Sequence, residues 1–331
     1  MDSAPVCEPA AGNGSKGEEP NISVIIPTYN RSILVVNAIE SVLQQTYRDY
    51  ELIVIDDGST DDTRDRLRPY MERIRYVYQS NRGASAAQNA GIGVARGKWI
   101  AILASDDEWH PNKLQRQVEV LDALGREYGA CFTDCCFVGN ERENITAFQS
   151  AGLNMPSAYG PIDEPARYIL WRFGLYIQSL LVLRRLVNEI GGFDERLGVS
   201  EDDDLVFRLS LTTRFCAVSE TLVTIDRSRN HSHLIDIFRS NEEKKFIWSE
   251  LFLVKMLAYQ EVIDGDLYRA LEKQLAQLYF DWVMTRTAQL DFASAMKSVG
   301  KLHNRGLGYD SILKTVSSRV IQKLIQFARK P

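Results

Sequence analysis

Apolar residues in the first third of this chain follow two patterns. The runs Ile22-Ser-Val-Ile-Ile26, Leu52-Ile-Val-Ile55 and Trp99-Ile-Ala-Ile-Leu103 are nearly unbroken by polar residues. They predict strands buried on both faces of a parallel sheet. Between them, Ile33, Val36, Ile39 and Val42 recur at helical spacing behind Asn30, a residue type that caps helices. Asp61 and Asp62 open a charged helix reaching Tyr70. A short strand from Ile74 to Tyr78 and an Ala-rich helix from about Ser85 to Ala95 follow. Strand and helix alternate, which predicts an α/β fold with right-handed crossovers. Ligands in such sheets bind outside the carboxyl ends of the strands. Two acidic turns fall there: Asp56-Asp57-Gly58-Ser59 and Ser105-Asp106-Asp107.

The second third is less regular. Pro111 is suited to opening a helix, and Gly191 to stopping one that ends at Ile190. Positions 205, 206 and 209 are apolar, so Glu201 to Asp204 form the acidic first turn of a helix. Leu222 to Ile225 is the last predicted core strand. The stretch 139–176 lacks periodicity and reads as a loop holding Tyr159, Trp171, Arg172 and Tyr176. Beyond about residue 235, segments 241–262, 266–289 and 311–329 carry apolar residues at helical intervals. The last of these is basic and amphipathic from Val316 to Lys330. It suits either an anionic membrane surface or packing on the domain or a second subunit.

Charge and composition narrow the class. The net charge is -5, with 39 basic and 44 acidic residues, and nothing in it suggests nucleic acid as a partner. No apolar run reaches the roughly 18 residues that span a bilayer. Residues 1–20 have no signal pattern and read as a disordered tail. With five cysteines and no zinc spacing, a reduced cytoplasmic location is expected, and the thiols read as buried strand residues.

The motifs together resemble a known family. Pro27-Thr28-Tyr29-Asn30, Asp56-Asp57-Gly58-Ser59, Asn81-Arg82-Gly83, Ser105-Asp106-Asp107, Gly191-Gly192-Phe193-Asp194 and Glu201-Asp202 stand in the order and approximate spacing of family 2 glycosyltransferases. The resemblance covers roughly residues 20–230. It implies a GT-A fold, with a Rossmann-like, mostly parallel central sheet, flanking helices and an α-helical C-terminal appendage. The expected layout is a nucleotide-binding half at 21–110, an acceptor-binding half at 111–234 and a helical region at 235–331.

Such an enzyme moves a sugar from a nucleoside-diphosphate donor to a hydroxyl of a saccharide or lipid-linked saccharide. An ionised carboxylate accepts hydrogen bonds only, so Asp56 is suited to a pyrimidine imide proton, and the resemblance assigns it that role. Asp57 stands beside it as a partner in the task, and a UDP- or dTDP-type donor follows. Pro27, Thr28, Tyr29, Asn30, Arg82 and Ser105 resemble residues lining the nucleotide. Mg²⁺ and Mn²⁺ take oxygen ligands and share them with phosphates. The resemblance points to Asp106 as the main metal contact, with Asp107 beside it and His231 as a further ligand. Ala104 departs from the commoner Asp-Ser-Asp-Asp pattern, and Gln88 replaces a commonly basic position. Asp202 maps onto the general base of an inverting displacement. Asp107, Trp109, Gly192 and Glu201 map beside the donor sugar and acceptor. Peripheral contact with the membrane's inner face, or a homo-oligomer through the C-terminal helices, is expected.

Two rivals are set against this reading. A glycoside hydrolase also uses two carboxylates but needs neither nucleotide nor metal. A non-catalytic sugar-nucleotide-binding protein would tolerate Ala104 and Gln88.

Overall fold

The computed structural model describes residues 6–8, 19–139, 144–170, 174–228 and 240–288, together with 291, 294 and 298. The chain divides into two compact units, Met1–His233 and Leu234–Pro331.

The first unit is built on a ten-stranded mixed sheet. Its nucleus is β2 (Ile22–Thr28), β3 (Tyr50–Asp56), β4 (Arg75–Tyr78) and β5 (Trp99–Ile102), all parallel. Ile22, Val24, Ile25 and Ile26 are fully buried, as are Ile53, Val54 and Ile55, which is why these strands show no alternation. The crossovers are α1 (Leu34–Leu43), α2 (Thr63–Leu67) and α3 (Ala84–Val94). At the far edge β1 (Val6–Glu8) pairs antiparallel with β4, so part of the stretch expected to be disordered is a strand.

The second half of the unit turns mixed. It contains β6 (Glu108–Trp109), α4 (Lys113–Leu124), β7 (Tyr128–Val138), α5 (Ala147–Ala151), β8 (Tyr159–Ile162) and α6 (Pro165–Leu170). Next come β9 (Leu181–Leu183), α7 (Arg184–Glu189), α8 (Glu201–Ser210) and β10 (Arg214–Asp226). Strand β9 is inserted between β5 and β7 and runs antiparallel to both. Strands β7 and β10 are parallel, and β6 and β8 each pair antiparallel with β10.

Four expectations need correction. Asn30 does not cap the first helix, which starts at Leu34. Its face is Val35, Ala38, Ile39 and Val42, while Ile33 is exposed. The helix from Asp61 to Tyr70 is a five-residue helix followed by a 3₁₀ turn, because Pro69 has no N–H to continue it. The last core strand has 13 residues instead of four, with register shifts around Val218–Val223 that absorb the polar Ser219-Glu220-Thr221. The loop 139–176 holds α5, β8 and α6.

In the second unit α9 (Glu242–Leu257) and α10 (Gly265–Ala288) pack together. The rings of Phe246 and Trp282 stack 4.5 Å apart, and Arg286 lies over Trp282. Among the described residues no helix is long and apolar enough to cross a membrane. The basic segment at 316–330 lies outside the described residues, as do Trp171 and Arg172.

Candidate active site

The carboxyl ends of β2, β3, β4 and β5 gather the predicted turns at one rim. Asp56 ends β3 and is buried. Its Oδ1 accepts the Ser59 amide at 2.7 Å, and its Oδ2 accepts the Tyr76 hydroxyl at 2.6 Å. It faces into the fold. Asp57 accepts from the other side: Gln79 Nε2 and the Arg82 amide on Oδ1, and the Gly83 amide on Oδ2. Asp57 therefore shapes the 79–83 loop that enters α3. Gly58 has φ +82°, and a Cβ there would stand 2.7 Å from the Asn81 amide nitrogen, so only glycine lets the two loops touch.

The first turn is tied to the second. Asn30, in the left-handed region, accepts the Thr60 amide through Oδ1, and its own amide donates to Ser59 Oγ. Its side chain is thereby engaged in the loop. Tyr29 is exposed. Thr28 is buried and its Oγ1 has no partner among the described residues. The Oε1 of Gln88, on α3, is in the same condition. A buried polar atom costs about 1–3 kcal/mol when unpaired, so both are suited to meet a polar ligand. The Arg82 guanidinium turns away to Glu195, at 3.1 Å and well exposed.

At the next strand end Ser105 is buried, and Asp106 forms an ion pair with Arg31 at 2.8 Å. Asp107 is buried, and its Oδ1 accepts the Asp226 amide at the end of β10. Burial, then the charge of Asp106, pushes the Asp107 carboxyl well above the usual range, while Arg227 and Arg31 oppose this. Two adjacent carboxylates, one desolvated, suit a hard divalent cation, which relieves both penalties. Among the described residues no group of three or more His, Cys, Asp or Glu could hold a metal unaided. Substrate oxygens and water would have to complete the shell. His231 lies outside the described residues.

The acidic helix α8 leads into β10, whose end meets Asp107 at this rim. Ser200 precedes it in the left-handed region, and four acids fill its first turn. Burial raises the Asp202 carboxyl, and the nearby Arg227 pulls it back. Asp203 is pushed up to about 7, by burial first and by Asp202 second. Glu201 is buried and raised well above its usual range, by burial and then by Asp202. Asp204 is buried and paired with Arg208 at 2.6 Å. Arg227, directly after β10, lowers both the Asp107 and the Asp202 carboxyl. Arg31 and Arg227 were not chosen as site residues from sequence. Their signal was position, each directly after a motif or strand end.

Trp109 requires a correction. It is buried, its Nε1 donates to the Gln178 carbonyl, and the Lys113 ammonium lies 3.9 Å from its ring centre. That face offers no platform for a sugar. Lys113 is itself fully buried and bonded to Gln117 Oε1. Burial lowers its amine from 10.5 to about 7, with Cys131 and Cys135 opposing. The unfolded chain then holds a proton above pH 7 that the folded chain gives up, so stability rises with pH. Lys113 by itself is expected to contribute a gain of about 1 kcal/mol between pH 7 and 8, against which the raised Asp203 carboxyl pulls. Higher in pH the thiols of Cys131 and Cys135, raised by burial, pull the other way. Lys113→Met is expected to be more stable than wild type at pH 7 and to lose this slope. Urea unfolding at both pH values checks it, and an unchanged slope in the variant would exclude a neutral amine.

The fold is of the GT-A type. S. aureus TarS in complex with UDP-GlcNAc aligns with TM-score 0.57 and 19% identity, covering 78% of this chain and 71% of that one. The mannosyltransferase PcManGT of Pyrobaculum calidifontis, in complex with GDP-Man and Mn²⁺, aligns with TM-score 0.53 and 17% identity, covering 95% and 84%. Residues 23–187 match the family model of glycosyl transferase family 2. The chain belongs to that family. The succinoglycan biosynthesis protein ExoO of Rhizobium meliloti is 34% identical over 206 residues, 60% of this chain and 58% of its own. An uncharacterized glycosyltransferase of Rickettsia felis is 30% identical over 234 residues, 70% of this chain. The matched region spans only 38% of that relative's length.

Proposed function

We propose that this enzyme transfers a sugar, with inversion, from a nucleoside-diphosphate donor to a hydroxyl of a saccharide or lipid-linked saccharide in polysaccharide synthesis. The observation that carries the reading is the meeting of Asp107, at the end of the nucleotide-side strands, with the Asp226 amide at the end of β10, the strand that follows the helix bearing Asp202. The leaving diphosphate and the acceptor hydroxyl must be adjacent in a single displacement, and this contact joins the two acidic segments.

Nucleotide contacts are placed at 21–110 and acceptor contacts at 111–234. The imide proton of the base is assigned to Asp56 with Asp57 beside it, since an ionised carboxylate has lone pairs beyond the hydrogen bonds each already accepts. Thr28 Oγ1 and Gln88 Oε1 supply further polar contacts. Asp106 and Asp107 hold a divalent cation, whose chemistry when bound is to neutralise the diphosphate as it departs. Arg31 and Arg227 add positive charge at the same rim. Asp202 takes the acceptor's proton. A carboxyl raised by burial is a stronger base than an exposed one, provided it is ionised.

A thermal-shift screen tests the reading. UDP and dTDP with Mn²⁺ are expected to stabilise the full chain by about 2.7 kcal/mol at a hundredfold excess over Kd. ADP is expected to do much less, because adenine has no imide proton. Equal stabilisation by ADP would remove Asp56 and Asp57 from base recognition, and a chain that binds the donor but never forms product would be the non-catalytic binding protein.

A further inference from the structure

On the reading of Asp202 as the base, we infer that Asn89 is a positioning residue for transfer. From α3 it holds the 191–195 turn, and through Arg208 it fixes the first turn of α8, which carries Asp202.

One peptide unit is gripped from both sides. The Phe193 amide donates to Asn89 Oδ1 at 2.8 Å, while Asn89 Nδ2 donates to the Phe193 carbonyl at 3.0 Å and to Glu195 Oε1 at 3.1 Å. The carbonyl of Gly192, on the same peptide as the Phe193 amide, accepts Arg208 Nη2 at 2.8 Å. Arg208 also donates to the Ile190 carbonyl and closes on Asp204, two residues beyond Asp202. The approach explains Gly192, because a Cβ there would stand 2.6 Å from Asn89 Oδ1 and φ is +68°.

The other end of α3 belongs to the nucleotide rim. The amides of Arg82 and Gly83, just before the helix, donate to Asp57. Arg82 pairs with Glu195, and Ser85 Oγ donates to the Leu197 carbonyl. One helix therefore spans from the carboxylate assigned to the base of the donor to the turn that sets the catalytic carboxylate. A buried charge pair and a bidentate amide resist displacement, and a misplacement of about 1 Å costs roughly a hundredfold in rate.

The test uses the full chain with Asn89→Ala, Asn89→Asp and, from the other side of the contact, Gly192→Ala. Turnover is read as nucleoside diphosphate released from a panel of uridine-, thymidine- and guanosine-diphosphate sugars with saccharide acceptors. UDP affinity is read by calorimetry and folding by thermal unfolding. Asn89→Ala is expected to lose about tenfold or more in kcat while donor KM and UDP Kd stay within about twofold. Asn89→Asp is expected to lose more, since a carboxylate then faces the Phe193 carbonyl and Glu195. Amides 201–204 are expected to exchange faster with deuterium in both. If Asn89→Ala folds poorly, Asn89→Ser and Gly192→Ala carry the comparison. Wild-type kcat in the folded variants, or a loss confined to donor KM or to melting temperature, would overturn the role. Full turnover in Asp202→Asn would remove the base itself. An inactive Asp202→Asn beside a fully active Asn89→Ala would overturn the role of Asn89 alone.

Discussion

Asp202→Asn is expected to lower turnover by about 10²–10⁴-fold, roughly 3–5 kcal/mol of barrier, with little change in UDP affinity. The amide keeps the size of the carboxylate and loses its basic lone pair. The helix start loses one negative charge, worth about 0.3–1 kcal/mol. That loss is offset because Asp202 is desolvated and its charge raises the carboxyls of Glu201 and Asp203. The fold should therefore hold. The donor rim is formed by other elements, so calorimetry should return the wild-type affinity for UDP. Wild-type rate in this variant would place the base elsewhere. Asp203 would then be next, because Asp204 is held by Arg208.

Asp106→Ala is expected to abolish turnover and to remove the Mn²⁺-dependent part of the stabilisation by UDP. The side chain stands at the rim beside Arg31, while Ile100, Ala101 and Ile102 behind it remain buried. The melting temperature of the free protein should move by only a few degrees, as expected for about 1 kcal/mol. Two readouts separate the metal from the fold: UDP titrations with and without Mn²⁺, and product release. Full activity of the variant in chelated, metal-free buffer would exclude a metal-dependent mechanism at this position.

The sequence reading succeeded where structure is local. The runs at 22–26, 52–55 and 99–103 are strands because their residues are buried on both faces, and burial on two faces is visible as missing alternation. The acidic turns follow those strands, so their place at the sheet rim was legible as well. The reading failed where a partner comes from far along the chain. Asp56 and Asp57 are indistinguishable as letters, and only the fold brings Tyr76 to one and Gly83 to the other. The Lys113 ammonium over the Trp109 ring is likewise not legible from either residue's own segment pattern.

The sequence by itself determined the alternating half of the sheet, the acidic turns and the family to which the motifs point. Apolar period and turn chemistry report the burial of a segment's own side chains, and they need no knowledge of the neighbour. Only the tertiary structure decided the antiparallel insertion of β9 between β5 and β7, the meeting of Asp107 with the end of β10, and the grip of Asn89 on Phe193 across 104 residues. Each joins segments whose periodicities are independent of one another. The pairing is set by which faces meet when the chain closes, and no local pattern records it.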